Sequence, residues 1–224
     1  MSPFTPTLGL LAFLGSGETS LAGGRIFEHI ARRLPPNPRI VVLETPAGFE
    51  LNSPQVAGRV ADYLATRLQN YRPRVDVIPA RKRGTPYSPD DPEICAPLIH
   101  ADFIFMGPGS PTYAVRQLQN SLAWELIRAR HRMGAALVFA SAATIAVGAR
   151  ALPVYEIYKV GQDVHVVPGL NFFWRLRRQN LLHPALEQRR RRRRPGYQPL
   201  LHRHRAIPPV VRPTRTRPNR AGAG

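Results

Sequence analysis

The stretch "ALVFASAATIAVGARALPVYEIYKVG", residues 136–161, holds the change of pattern that decides the fold. Residues 136–140 form an unbroken apolar run, short enough for a strand buried on both faces. Ser141 ends that run, and Ala142 and Ala143 open a helix-like segment over 141–151. Read alone, Ser141 is a helix cap, because a serine hydroxyl accepts a hydrogen bond from a first-turn N–H. Read with its neighbours, it stands where a strand turns into a helix. Such a turn presents a nucleophile when the flanking residues are small enough for its crowded backbone, and Ala140, Ala142 and Ala143 are small.

The same alternation runs through everything before it. "LGLLAFLG" (8–15), "RIVVLET" (39–45), "RVDVIPA" (74–80) and "DFIFMG" (102–107) read as four further strands. Helical segments separate them at 20–34, 53–71, 91–101 and 110–134, the second with Ser53 as N-cap and Pro54 at the first helical position. Strands alternating with helices over this length predict an α/β domain, a parallel sheet flanked by helices on both faces. Sites in such sheets lie just beyond the carboxyl ends of the strands.

Charge divides the chain in two. Residues 1–173 carry 17 Lys+Arg against 13 Asp+Glu, while residues 174–224 carry 15 Arg against the single acid Glu187. The net +18 is therefore +4 in the first part and +14 in the second. The second part has seven prolines from Pro184 onward and no helical or strand period, so it reads as a disordered Arg/Pro-rich tail behind a 1–173 domain. Cys95 is the only cysteine, which rules out an intrachain disulfide. The start has no basic stretch, and its apolar run of about six residues is too short for a signal peptide or a membrane span. These features predict a cytoplasmic chain with no membrane partner.

Four segments follow strand ends. Gly15 to Ser20, "GSGETS", is a glycine turn with a cap, or a loop in which Gly17 and Glu18 contact a substrate. Without a third glycine it is no dinucleotide fingerprint. "ETPAGF" (44–49) reads as a turn. "GPGSPT" (107–112) is a tight turn capped by Ser110, or a loop whose exposed N–H groups hold an anion or a developing oxyanion. The fourth is the Ser141 turn.

In order, strand–"GSGE"–helix, strand–"ETPAG", strand–"MGPGSPTY"–helix and strand–"ASAA"–helix resemble the serine peptidases that include dipeptidase E and cyanophycinase. The resemblance covers residues 8–173. It implies a flavodoxin-like fold similar to the class I glutamine amidotransferases. It also implies a serine hydrolase of peptide or isopeptide bonds, working without cofactor or metal. The nucleophile maps to Ser141, the oxyanion donors to the backbone of Gly109 and Ala142, and the acid to Glu156, which otherwise reads as an exposed strand glutamate. The family carries glycine two residues before and two after the serine, where this chain has Phe139 and Ala143.

A serine nucleophile needs a base. The window implied by the family, 176–186, contains only His183, and His165 lies nearer on an apparent strand; neither sits in the family's motif, which reads like "IPHWNN" with "TSRCF" later. Codons read one base out of register supply it. Trp174–Arg175, with the arginine encoded CGN, then yields only glycine. The steps from His183 to Arg189 permit "IPHWNN", and those from Tyr197 to His202 permit "TSRCF". The arginine run becomes Gly/Asp, and the family's histidine falls where this chain has Ala185. The residues thus point to a frame shift after Phe173, and to a chain that as written is inactive or nearly so.

Two other functions fit parts of the sequence. An arginine-rich tail binds nucleic acid or any polyanion nonspecifically, although this one has no lysine and a single tyrosine for stacking. A non-catalytic amidotransferase-like domain fits the altered elbow positions. A homodimer is compatible with either.

Overall fold

The computed structural model describes residues 8–173. Five strands form one parallel sheet: β1 Leu11–Leu14, β2 Arg39–Leu43, β3 Arg74–Ile78, β4 Phe103–Met106 and β5 Ala136–Ala140, in the order β1-β5-β4-β2-β3. Helices α1 Leu21–Ala31, α2 Ser53–Arg67, α3 Pro92–Cys95, α4 Pro111–Leu118 and α5 Leu122–Arg132 connect them. The chain thus has the predicted α/β architecture.

The strands alternate as a doubly covered sheet requires. Val41, Leu43, Ile104, Met106, Leu137 and Phe139 belong to one core, with α4, α5 and the Trp124 ring. Ile40, Val42, Phe103, Phe105, Val138 and Ala140 belong to the other, packed on α1 and α2 through Phe27, Val60 and Leu64. Phe27 lies 6.0 Å from Phe103 and 6.1 Å from Phe105, ring centre to ring centre. Burying each such ring stabilises the fold by about 1.5–3 kcal/mol. β5 is buried along its whole length, which is why its sequence shows no polar alternation.

Four details depart from the sequence reading. Ser53 is not a cap: Asn52 precedes α2, and the Ser53 hydroxyl instead donates to Glu44 Oε2 at 3.0 Å. The helix expected over 141–151 is shorter. α6 runs Ala142–Ala146, and β6 Arg150–Ala151 then pairs antiparallel with β7 Val167–Pro168. Between them α7, Val154–Val160, turns Glu156 from an expected strand residue into a helical one, and His165 lies in the loop before β7 rather than on a strand. The predicted tail over 174–224, with His183, lies outside the described residues.

β1 and β3 are the two edge strands of the described sheet. β1 carries no charge, and Phe13 is 43% exposed, its ring 5.8 Å from Phe139 on the inner side and 5.8 Å from Phe173.

Candidate active site

Register places the site. Leu14 pairs with Ala140 and Met106 with Phe139, so β1, β5 and β4 end side by side. Ser141 therefore leaves the sheet between the Gly15–Ser20 segment and the 107–112 loop. Its backbone is strained: φ is 50° and ψ −117°, a region that non-glycine residues rarely occupy. Such a conformation costs about 1–3 kcal/mol and persists only where surrounding contacts enforce it. The Ser141 N–H donates to the Leu14 carbonyl at 2.9 Å. The Ser141 hydroxyl caps nothing and has no hydrogen-bond partner among the described residues. The cap reading is thus excluded, and the hydroxyl of a half-buried serine is left unpartnered, among the described residues, at a strained strand-to-helix turn.

The oxyanion candidates lie on the two sides of the β4–β5 junction. Among the described residues, neither the Gly109 N–H nor the Ala142 N–H donates to a protein acceptor. The Ala143 N–H approaches the Gly107 carbonyl at 3.4 Å, which joins the elbow to the 107–112 loop. That loop is anchored in turn, because the Ser110 N–H donates to the Pro46 carbonyl at 2.9 Å. Gly109 has φ 142° and no room for a side chain.

Glu156 is brought to this loop rather than to Ser141. Its Oε1 accepts from Thr112 Oγ1 at 2.5 Å; Ser110 Oγ lies 2.9 Å from Thr112 Oγ1 and accepts the Tyr113 N–H at 3.2 Å. Since Thr112 has one hydroxyl hydrogen and spends it on the carboxylate, the Ser110 hydroxyl donates to Thr112. Glu156 Oε2 is buried with no partner among the described residues. Gly17 has φ 76°, and its carbonyl accepts the Ser20 hydroxyl at 2.6 Å, which closes the first loop; Glu18 in that loop is half-buried.

Four histidines are described, and none hydrogen-bonds to Ser141. His29 and His100 are exposed on helical segments. His131 is buried under Phe172, and burial pushes its imidazole below the ordinary value. Exposed His165 folds back on its own chain, Nδ1 2.8 Å from the Asp163 carbonyl. No group of three or more His, Cys, Asp or Glu among the described residues is placed to hold a metal ion.

A buried group went unread in the sequence. Glu44, 4% exposed, receives both the Ser53 hydroxyl and Arg81 Nε, the latter at 2.6 Å. This ties the loop after β2 to the loop after β3. The glutamate opening "ETPAGF" was the available signal, since acids are almost never buried without a partner.

The site thus belongs to the class of open parallel α/β folds with a serine at a strained strand-to-helix elbow and, among the described residues, unpaired N–H groups at Gly109 and Ala142. No protein-family profile and no curated protein sequence matches the chain. Solved structures do. A peptidase from an acI-B1 actinobacterium superposes with TM-score 0.61 at 18% identity, over 75% of this chain and 66% of that one. A protein described as a candidate peptidase E from Listeria monocytogenes EGD-e superposes with TM-score 0.50 at 16% identity, over 74% of this chain and 76% of that one. The fold is therefore peptidase E-like, and the chain spans just under two thirds of the actinobacterial peptidase's length. No helix among the described residues is long and apolar enough to cross a membrane.

Proposed function

We propose that residues 1–173 are the front part of a serine-type hydrolase of peptide or isopeptide bonds, and that its continuation is encoded one base out of register after Phe173. The observation that carries the reading is the Ser141 elbow, with φ 50° and an unpartnered hydroxyl beside the free N–H of Ala142. In this reading Ser141 Oγ attacks the carbonyl carbon and loses its proton to a base. The carbonyl oxygen takes the negative charge between the Gly109 and Ala142 N–H groups, which offset about 3–4 kcal/mol of barrier for each good donor. Collapse expels the amine, which takes the proton, and leaves an acyl ester on Ser141. Water then repeats the sequence and releases the acid. Glu156, with one oxygen still free, orients the base, and the Gly17–Glu18 loop lines the substrate.

The base is what the chain as written lacks. The reading assigns it to the histidine of the other frame, so these 224 residues have little or no activity, because triad members act as a unit. The reaction needs no cofactor. The reading includes a cytoplasmic location, a fold-level kinship with cyanophycinase and the class I glutamine amidotransferases, and nonspecific polyanion binding by the arginine-rich segment.

Sequencing the gene across the codons for Phe173 and Trp174 comes first. The frame-restored protein is then compared with the 224-residue chain for labelling by a fluorophosphonate probe and for hydrolysis of acidic dipeptides and β-aspartyl isopeptides. Labelling of the restored protein that Ser141→Ala abolishes is the expected result. Activity in the chain as written that depends on Ser141 overturns the frame-shift part. A restored protein that neither labels nor hydrolyses favours a non-catalytic domain.

A further inference from the structure

The hydroxyl of Thr144 is 2.8 Å from the Phe139 carbonyl and 3.0 Å from the Leu14 carbonyl. Phe139 precedes the elbow on β5, Leu14 ends the neighbouring β1, and Thr144 is the third residue of α6. One side chain therefore spans Ser141 from both sides and fastens it to the adjacent strand. The Leu14 carbonyl is shared, since it also accepts the Ser141 N–H at 2.9 Å. A hydroxyl has one hydrogen, and both carbonyls lie within its hydrogen-bond reach.

We propose that Thr144 is a positioning residue that holds Ser141 in its strained conformation, an inference that rests on the hydrolase reading of Ser141. A non-glycine residue at φ 50°, ψ −117° relaxes unless neighbouring contacts forbid it. α6 has only five residues and its N-terminal side chain does not cap it, so the helix by itself restrains the turn weakly. The Thr144 bonds cross the turn at the point where relaxation would part Phe139 from Leu14. Serine and threonine at mid-helix usually bond back to a carbonyl of their own helix. Thr144 bonds instead to two strands, and a helix-internal role does not account for that.

The test needs no base and uses the full 224-residue chain. A Ser141→Cys variant places a thiol at the elbow, and the rate of its alkylation by iodoacetamide against pH reports how readily that sulfur carries negative charge. Cys95 is fully buried, and the unmodified parent chain supplies its blank. In the Ser141→Cys chain the thiol is expected to titrate below the ordinary value of about 8.5. Adding Thr144→Val is expected to return the profile toward that value and slow alkylation about tenfold, as a misplaced reactive atom does. Thr144→Ser, which keeps the hydroxyl, is expected to restore both. Thr144→Ala is the second variant and must match Thr144→Val should valine prevent folding. A lowered thiol that neither substitution moves overturns the role of Thr144 and leaves the site reading intact. A thiol of ordinary titration whose rate still falls with Thr144→Val overturns the anion-holding reading and keeps the clamp. A serine variant that behaves like the valine variant also overturns the clamp.

Discussion

Gly109 rests directly on Pro46: a Cβ built on Gly109 would lie 1.9 Å from the Pro46 carbonyl oxygen and 2.6 Å from the Ala47 N. The contact is backbone on backbone, so no rotamer change relieves it. It is also where the loop after β4 meets the loop after β2, 63 residues apart in sequence. Gly109→Ala is therefore expected to cost about 2–4 kcal/mol, combining the clash with the φ of 142°. Urea unfolding of the two chains measures it, and a change within 0.5 kcal/mol, about the scatter of surface substitutions, would show that the two loops do not meet as described.

His131 makes stability depend on pH. Burial holds its imidazole below the ordinary value, with the Ala135 carbonyl opposing and Arg132 adding to the shift. The unfolded chain therefore takes up the proton first as pH falls. The stabilisation is full above about pH 6.5 and is lost as pH drops below it. The urea midpoint is expected to fall between pH 7.5 and 5, and His131→Gln is expected to flatten that fall. Parallel profiles for both chains would refute the assignment.

Cys95 behaves in the opposite sense. Burial, then the nearby Asp90 and Asp91, push its thiol up to about 11. Its proton is held through the pH range where the unfolded thiol loses it, so this contribution to stability is present below about pH 8.5 and lost as pH rises toward 11. In native chain at pH 8 the thiol is expected to resist 5,5′-dithiobis(2-nitrobenzoate) and to react fully in 6 M guanidinium. Fast native reaction would mean that the α3 region opens readily.

Glu156 carries a buried oxygen that no donor reaches among the described residues. An uncompensated charge is costlier there than a neutral amide. Glu156→Gln retains an acceptor for Thr112 and is expected to leave stability unchanged or raise it by up to about 1 kcal/mol at pH 7, whereas Thr112→Val loses about 1 kcal/mol by stripping the carboxylate of its one donor. Urea unfolding of the two variants decides, and the reverse order would mean that Oε2 is already satisfied.

Phe13 lies on an edge strand with neither charge nor proline to discourage pairing. Phe13→Lys is expected to reduce self-association of the chain, read by light scattering at several concentrations, with a stability cost of about 1 kcal/mol from its lost packing on Phe139. Unchanged association would place the adhesive surface elsewhere.

The five strands, their intervening helices and the segments after β1, β4 and β5 were legible in the sequence, because each is written in a local pattern: apolar runs at strand length, glycines at turns, serines before helices. The turns that hold Ser141 and Gly109 were placed that way, while their roles came from the resemblance. The misreadings share a cause. Ser53 looks like a cap but spends its hydroxyl on Glu44, and Glu156 looks like a strand residue but lies on α7; tertiary partners outbid local propensity in both. Only the tertiary structure decided the strand order, the burial of Glu44 against Arg81, the hydrogen-bond line from Tyr113 to Glu156, and the grip of Thr144 on Leu14, 130 residues away. Strand order depends on which edges meet after long crossovers. A side chain's partner across such a distance leaves no trace in the periodicity of either segment.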